Sequence, residues 1–275
     1  MGMKAPPPIF DAQIRVGPLT DQDLDDLRFF GVAGAVAIAG DDAPEGTAQD
    51  LLGYLETMLV QGSRRLRRAG IAPYFAIGVH PKRIPERGFE EVLANFPELT
   101  RRARVVAIGT IGLFEGGEEE EEVVSRQLEM ASTLDLPVIV SLVRRDLRLV
   151  RRVLALLRER EFPPERVLVT GVDGETLRLV RSCGHLAGLL VHPTSSSPEQ
   201  AVRLIRSHGS RGIVLASNLG EGPGDLLGVP RTLHLLERGR ISREIARRVA
   251  GENALEFFGI DPDAIARPSD QPRSR

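Results

Sequence analysis

Short apolar runs alternate with longer segments of helical period along most of the chain. The short runs are rich in Val, Ile and Ala, which favour strands, whereas the segments between them place apolar residues three and four positions apart. We therefore expect two kinds of element that alternate regularly. The apolar runs predict eight strands, at 8–14, 32–39, 73–79, 104–109, 137–142, 166–171, 187–191 and 212–217.

The segments between the runs predict a helix after each strand. Eight strand–helix units without a long insertion favour an α/β fold, a single-domain (β/α)₈ TIM barrel over 8–260 with an extra C-terminal helix. Residues 1–7 and the polar, proline-broken stretch 261–275 are expected to be disordered. The predicted helices lie near 20–30, 46–69, 86–98, 118–134, 145–160, 174–182, 198–208 and 224–238, with the extra helix at 242–258.

One predicted strand end is framed by glycines. The stretch VVAIGTIGLFEG, at 105–116, is typical of a buried parallel strand that ends in a turn. Gly109 and Gly112 lie on either side of the hydroxyl of Thr110. Because the C-terminal ends of the strands carry the functional site of a TIM barrel, Thr110 is predicted to lie where a ligand would bind.

Composition and charge narrow the class of protein. The formal net charge of the 275 residues is −2, so a general affinity for nucleic acid is not expected. The single cysteine, Cys183, excludes an internal disulfide and suits a reducing cytosol. The longest apolar stretch, 29–40, is too short to cross a bilayer, and the N-terminus lacks the apolar core of a secretion signal. The sequence thus predicts a cytoplasmic protein without a membrane partner.

A set of motifs runs through the chain in a recognisable order: FDAQIRV, AIGVHPKRIP, VVAIGTIGL, IVLASNLG and ISREIARRVAGENALEFFGI. The most distinctive pieces are Gly-Val-His-Pro at 78–81 and the Ile-Gly-x-Ile-Gly-Leu frame at 108–113. From residue 8 to 260 the chain resembles the TatD-related metal-dependent hydrolases of the amidohydrolase superfamily. The resemblance implies a TIM barrel that holds a divalent metal, such as zinc, for phosphoester or nuclease-type hydrolysis.

The positions of that family's metal ligands hold other residues here. The family's first strand carries D-x-H-x-H, and this chain has Asp11, Gln13 and Arg15 in those places. The family's Glu within G-E-x-G-L corresponds to Thr110. Hydroxyl and amide groups are weak neutral ligands and a guanidinium keeps its positive charge, so this set does not suit a divalent cation. The resemblance assigns six lost ligands, at Gln13, Arg15, Thr110, Ser141, Gly171 and Asn218.

Two other catalytic arrangements stay open. The first is a relocated metal site built from Asp11, His80 and His192, which are expected at one end of the barrel. The second is a metal-free enzyme that uses Asp11 or His80 as a general base. A serine triad has no G-x-S-x-G motif to support it, and Cys183 is expected at a helix end away from this face.

Replacement of carboxylates by neutral groups makes the site more positive, so an anion is a candidate ligand. Phosphate, sulfate or a carboxylate is expected to bind Arg15 with Thr110 or Ser141, or with Asn218. The alternative is that Arg15 pairs with Asp11 or another nearby carboxylate and fills the space. The cationic residues expected at this face are Arg15, Lys82, Arg83, Arg144 and Arg145.

These observations favour a TatD-like barrel that has lost its metal centre, a pseudoenzyme with a binding, regulatory or scaffolding role and no cofactor. Its partner is expected to be another protein or a small anionic ligand. The alternative is a metal-dependent hydrolase, of phosphoester or nuclease type, with an altered or relocated metal site. The residues predicted to form the degenerate site or anion pocket are Asp11, Gln13, Arg15, His80, Thr110, Ser141, Arg144, Gly171, His192 and Asn218.

Overall fold

A computed structural model describes residues 8–102, 104–144 and 146–266 of the protein. Its centre is one sheet of eight parallel strands that follow each other in chain order. The predicted α/β barrel is thereby confirmed. The strands are β1 (Ile9–Ile14), β2 (Val32–Ile38), β3 (Ala72–Ile77), β4 (Val105–Ile111), β5 (Val138–Ser141), β6 (Val167–Thr170), β7 (Leu186–Leu190) and β8 (Ile213–Ala216).

At least one helix follows every strand, as the alternating pattern predicts. The predicted helices at 46–69 and 242–258 each form as two α-helical parts joined by a π-helical turn, at Met58–Gly62 and Arg248–Glu252. The α-helices are α1 (Asp21–Phe29), α2 (Ala48–Thr57), α3 (Ser63–Arg68), α4 (Phe89–Arg102), α5 (Glu118–Thr133), α6 (Leu147–Glu159), α7 (Gly174–Ser182), α8 (Pro198–His208), α9 (Gly228–Arg238), α10 (Arg243–Arg247), α11 (Asn253–Phe257) and α12 (Asp263–Ala266).

The first and last strands meet through backbone hydrogen bonds just beyond β8. The Asn218 N–H donates to the Gln13 carbonyl at 2.9 Å, and the Arg15 N–H donates to the Leu219 carbonyl at 2.7 Å. These bonds hold the segment after β8 beside the end of β1. Because the strands are parallel, all of their C-terminal ends lie on this one face, which we call the barrel mouth.

The opposite end of the barrel is closed by the C-terminal helices. The Phe10 ring on β1 lies 6.2 Å from the Phe258 ring, measured between centroids. Gly34 on β2 makes this packing possible, since a Cβ there would lie 2.8 Å from the Phe10 ring and 2.9 Å from the Ile265 side chain. An apolar core therefore fills this end, and polar side chains collect at the mouth.

The C-terminal boundary differs from the predicted one. Residues 261–266 do not continue as a disordered tail, because they form a turn and the short helix α12. Ile265 is buried in the core that closes the barrel, a contact that the polar composition of the stretch conceals. The predicted disorder of 1–7 and 267–275 falls outside the described residues. Within the described ranges, no helix is long and apolar enough to cross a membrane.

Candidate functional site

The strand ends surround a small polar cavity of about 230 Å³, which we call the mouth cavity. Its lining combines charged groups, hydroxyls and an amide. Among the lining residues are five that the sequence predicts, namely Arg15, His80, Ser141, Gly171 and Asn218. The others are Asp41, Leu142, Val143, Leu190, Thr194, Ser195 and Glu221.

The guanidinium of Arg15 lines the mouth cavity, and the residue is only 4% exposed. Its Nη2 lies 3.1 Å from the Asp41 carboxylate, and its Nε lies 3.4 Å from the Asp42 carboxylate. Its Nη1 donates to the Glu221 carboxylate at 3.1 Å. Three carboxylates therefore share one cation. This is the ion-pair alternative of the sequence analysis, formed with carboxylates other than Asp11.

Two glycines leave room for Arg15. A Cβ at Gly40, which follows β2, would overlap the guanidinium. A Cβ at Gly220, which follows β8, would collide with the backbone and Cβ of Arg15, and the φ of +87° at this position favours glycine. The backbone on both sides is therefore shaped around this side chain.

One side-chain amide, that of Asn218, contacts the guanidinium, and a second, that of Gln13, contacts Asn218. The Gln13 Nε2 donates to the Asn218 Oδ1 at 2.8 Å, and the Arg15 Nη1 donates to the same oxygen at 3.2 Å. The Asn218 Nδ2 donates in turn to the Glu221 carboxylate. Asn218 has a φ of +53°, in the left-handed region that asparagine tolerates better than most residues. Asn218 thus links Gln13, Arg15 and Glu221, whereas the buried Gln13 Oε1 has no hydrogen-bond partner among the described residues.

Asp11 is buried and organises the backbone. Its Oδ1 accepts the N–H groups of Gln13 at 3.2 Å and of Ser217 at 3.0 Å. Burial raises the pKa of Asp11 to about 6, although hydrogen bonds from Ser217 and Gln13 oppose the rise. A general base must reach its substrate. Asp11 is 1% exposed and does not line the mouth cavity, so its geometry does not suit that role.

His80 brings an imidazole to the mouth cavity. Gln127 of α5 fixes the end of β3, because its side-chain amide exchanges two hydrogen bonds with the backbone of Val79, at 2.7 and 3.1 Å. Burial lowers the pKa of His80 to about 4, even though the Asp41 carboxylate acts in the opposite direction. The ring is therefore neutral near pH 7. Its Nδ1 accepts the Lys82 N–H at 3.2 Å, which leaves the proton on Nε2.

Three further predicted residues differ in whether a side-chain group reaches the mouth cavity: Thr110, Ser141 and Gly171. The Thr110 hydroxyl is buried and donates to the Ala39 carbonyl at 3.2 Å, so it links β4 to the end of β2. Ser141 is half-buried at the end of β5 and lines the cavity. Gly171 presents its backbone, and a Cβ there would lie 3.2 Å from the Leu142 carbonyl oxygen. Of these three residues, Ser141 alone directs a side-chain group to the mouth cavity.

Besides Asp11, Gln13 and Thr110, two further predicted site residues do not line the mouth cavity, namely Arg144 and His192. Arg144 is exposed. Its guanidinium lies over the Phe114 ring, 5.5 Å from the centroid, and pairs with Glu115 at 3.2 Å. His192 is 2% exposed and lines an adjoining cavity beside the start of α8. Burial lowers its pKa, and Glu221 and Arg15 of the mouth also act on the pKa, in opposite directions. The Nδ1 of His192 lies 2.8 Å from the Thr194 hydroxyl. Of His80, His192 and Asp11, only His80 lines the mouth cavity.

The other cations expected at this face are also paired. The Lys82 Nζ lies 3.5 Å from the Asp41 carboxylate. The Arg83 Nη1 donates to Glu45 at 2.6 Å. Arg145 falls outside the described residues. Cations and carboxylates at the mouth thus neutralise each other through direct contacts.

Sequence reasoning does not find the three carboxylates around Arg15. Asp41 and Asp42 come shortly after β2, and Glu221 lies in the glycine-rich loop after β8. The rule that active-site groups follow barrel strands would have selected them, since both segments are strand ends. Burial alone would raise the pKa of Asp41, but Arg15 and the neighbouring cations hold it below its ordinary value. Asp41 is therefore ionised at neutral pH.

The donor set does not fit a divalent metal. Metal ligands must have available lone pairs, and the carboxylates here surround a guanidinium that cannot lose its charge. Across residues 8–102, 104–144 and 146–266, no three His, Cys, Asp or Glu side chains are grouped so that they could hold a metal ion. A cation bound by Asp41, Asp42 and Glu221 would have to displace Arg15 from these carboxylates.

Known proteins share both the sequence pattern and the barrel. The sequence model of the family described as TatD related DNase matches residues 60–215, which is more than half of the chain. An uncharacterized metal-dependent hydrolase of Methanocaldococcus jannaschii is 24% identical over 254 residues, which cover 92% of this chain and 100% of that protein.

Solved structures agree on the fold. The crystal structure of the TatD-like protein from Archaeoglobus fulgidus matches with a TM-score of 0.77 and 27% identity, over 91% of this chain and 100% of that one. The phosphotriesterase homology protein from Escherichia coli, solved with phosphate in its active site, matches with a TM-score of 0.66 over 93% of this chain and 100% of that one. Its identity is 15%, so this likeness concerns the fold alone. By its sequence match and its barrel, the chain belongs to the TatD related DNase family.

Proposed function

We propose that this protein is a TatD related barrel that does not perform metal-dependent hydrolysis and acts through binding, in a regulatory or scaffolding role without a cofactor. The supporting observation is the position of Arg15. Its guanidinium lines the mouth cavity within 3.4 Å of three carboxylates. Hydrolysis of the family type needs a divalent cation there, with one coordination position open to water.

The surroundings of Arg15 support the proposal because their contacts hold the guanidinium in this position. Gly40 and Gly220 accommodate the side chain, and Asn218 accepts one of its hydrogen bonds. Moving this side chain would leave the neighbouring carboxylates without their shared cation, which is unfavourable in a partly buried site. A divalent ion would therefore compete with a cation that the fold itself supplies.

The ion pairs also bear on what the mouth binds. Arg15 and Lys82 face Asp41, Asp42 and Glu221, so carboxylates outnumber cations in this cluster. An inorganic anion that approached Arg15 would meet these acids. The mouth is therefore poorly suited to the small anionic ligand, and of the two expected partner classes another protein is favoured. We expect millimolar phosphate to leave the midpoint of thermal unfolding unchanged, whereas a rise that Arg15→Gln abolishes would support the anion pocket instead.

Metal analysis and an activity assay test the proposal. Purified protein is incubated with zinc or manganese, desalted and assayed by mass spectrometry for bound metal, and in parallel with a phosphodiester and a DNA substrate. We expect substoichiometric metal and hydrolysis no faster than the blank. The opposite result would be stoichiometric metal that Asp41→Asn releases and the exposed control Asp25→Asn does not.

The metal-free alternative predicts a different pattern. Because His80 lines the mouth cavity with a neutral imidazole, it is the better placed of the two candidate bases. Hydrolysis that persists in chelator and disappears in His80→Gln would establish that mechanism in place of the binding role. Hydrolysis that needs metal would establish the altered-site hydrolase.

A further inference from the structure

A groove on the outer surface of the barrel lies between α6 and α7, and we call it the α6–α7 groove. It encloses about 620 Å³, within the roughly 300–1,000 Å³ that is usual for small-molecule sites. Leu154 and Ala155 of α6 and Leu179 of α7 line it, together with Phe162 from the connection to β6. The groove is therefore largely apolar, unlike the mouth cavity.

Helical spacing produces this lining. On α6, positions 151, 154, 155 and 158 follow the i, i+3, i+4, i+7 pattern of a single helix face. Two of these positions are apolar, and the two outer ones are Arg151 and Arg158. The face thus presents an apolar centre with a guanidinium on either side.

The two arginines of this face are exposed and make no ion pair within the described part of the chain. Arg152, the neighbour of Arg151 in sequence, behaves differently. It points to the other side of α6, where it pairs with Glu121 at 2.6 Å and with Glu159 at 2.9 Å. The α5–α6 side of the helix is therefore bridged by charge, and the α6–α7 side carries uncompensated cations.

The remaining titratable groups leave the groove positive. Glu161 contributes one carboxylate to the lining against the two arginines. His185 adds no charge near neutral pH, because burial lowers its pKa despite a contact with the Pro164 carbonyl. The charge and the apolar lining together define the chemistry of a fitting ligand.

We propose that the α6–α7 groove binds a free aliphatic carboxylate. The hydrocarbon chain covers Leu154, Ala155 and Leu179, which removes apolar surface from water. The carboxylate pairs with Arg151 or Arg158, whose planar guanidinium matches it with two parallel hydrogen bonds. A short anion lacks the first contribution and a neutral hydrocarbon lacks the second, so both features are required.

Cys183 provides the readout, because it lines the groove, is exposed and is the single cysteine of the sequence. The probe is decanoate below its micelle concentration, and the measurement is the rate at which a neutral maleimide alkylates Cys183. At a decanoate concentration of about ten times Kd, the rate is expected to fall about tenfold by mass action. Decanol of the same chain length and acetate are expected to change it little.

Charge variants test whether decanoate protects Cys183 through its carboxylate or only through contact of its hydrocarbon chain with the groove. The double variant Arg151→Gln/Arg158→Gln keeps good helix formers and is expected to lose protection by decanoate. Arg178→Gln removes an exposed arginine of α7 that does not line the groove, so it is expected to retain protection. Ala155→Glu places a carboxylate among the apolar residues and is expected to abolish protection while both arginines remain.

Three results would overturn the proposal. Equal protection by decanoate and decanol would show that the arginines play no part in recognition. Unchanged alkylation at saturating decanoate would show that the groove binds no such ligand. Alkylation that slows as the protein concentration rises, without decanoate, would assign the groove to a second copy of the chain.

Discussion

The mouth cavity and the α6–α7 groove belong to the same barrel, but their arginines differ in burial and in ion pairing. At the mouth, Arg15 is 4% exposed and lies within 3.4 Å of three carboxylates. In the groove, Arg151 and Arg158 are exposed beside apolar side chains. The volumes differ as well, about 230 Å³ at the mouth and about 620 Å³ in the groove.

In this barrel, exposed arginines beside apolar surface lie outside the face that usually carries the functional site. A charge that is already paired within the protein attracts a ligand only weakly. An unpaired charge next to apolar surface can form a new ion pair when a ligand binds. The mouth is therefore a region where substitutions should disturb stability. The groove is a region where they should disturb binding.

The largest effect is expected for Arg15→Met. The variant keeps much of the side-chain volume but leaves Asp41, Asp42 and Glu221 without their shared cation. Since the acids are partly exposed, we expect the free energy of unfolding to fall by about 2–4 kcal/mol. Denaturation in urea measures the change. The exposed control Arg64→Met should stay within about 0.5 kcal/mol of the native protein, and equal losses in both variants would contradict the central role of Arg15.

A pH-dependent effect of similar size is expected from His80. The folded protein holds the pKa of His80 at about 4, below its ordinary 6.5, so between these values the unfolded chain binds a proton that the folded chain does not. Stability supplied by the neutral ring is therefore lost as pH falls from about 6.5 to about 4. His80→Gln should lose less stability over this interval, by about 2–3 kcal/mol.

The measurement compares urea unfolding of the native protein and His80→Gln at several pH values. Asp11 contributes in the opposite direction, because its pKa is raised from 3.8 to about 6, so its stabilising effect is lost as pH rises through this range. Asp11 is present in both proteins, and its contribution cancels in the difference. Parallel pH profiles would refute the neutral, buried state of His80.

A smaller effect is expected for Gly40→Ala. The added methyl group would overlap the Arg15 guanidinium and push it from its carboxylates, at a cost of about 1–3 kcal/mol in the free energy of unfolding. Gly53 on α2 is the matched control, because a Cβ there meets nothing within 4 Å. Gly53→Ala should stabilise the protein by about 0.5–1 kcal/mol. Effects of the same sign in thermal unfolding would contradict the crowding at Gly40.

The smallest effect on stability is expected in the groove. Arg151→Gln/Arg158→Gln removes two exposed charges that make no ion pair within the described residues, so its free energy of unfolding should stay within about 0.5 kcal/mol of the native value. Differential scanning calorimetry checks this. If the double variant loses as much free energy of unfolding as Arg15→Met, the arginines of the groove contribute to stability as much as Arg15 does, and the contrast between the two regions is wrong.

Much of the mouth could be anticipated from strand ends. Four predicted residues lie at the barrel mouth, because each is within one position of the end of a predicted apolar run: Gln13, Thr110, Ser141 and Asn218. Arg144 shows the limit of this reasoning. Its position in the chain is correct, but its side chain turns to Phe114 and Glu115, and rotamer choice depends on neighbours that periodicity does not report.

The sequence by itself determined the barrel and, through the family resemblance, predicted that the ligand positions hold other residues. Apolar runs and helical periods are local signals, and they were enough to predict eight strands in chain order. The motifs added the positions where ligands are replaced, Arg15 among them.

Tertiary structure decided which partners those residues have. Arg15 and Glu221 are 206 positions apart and meet because the barrel brings the ends of β1 and β8 together. The α6–α7 groove likewise depends on how two separate helices pack against the sheet. Such contacts follow from strand register, barrel closure and side-chain packing, which combine distant parts of the chain and leave no periodic signal in the sequence.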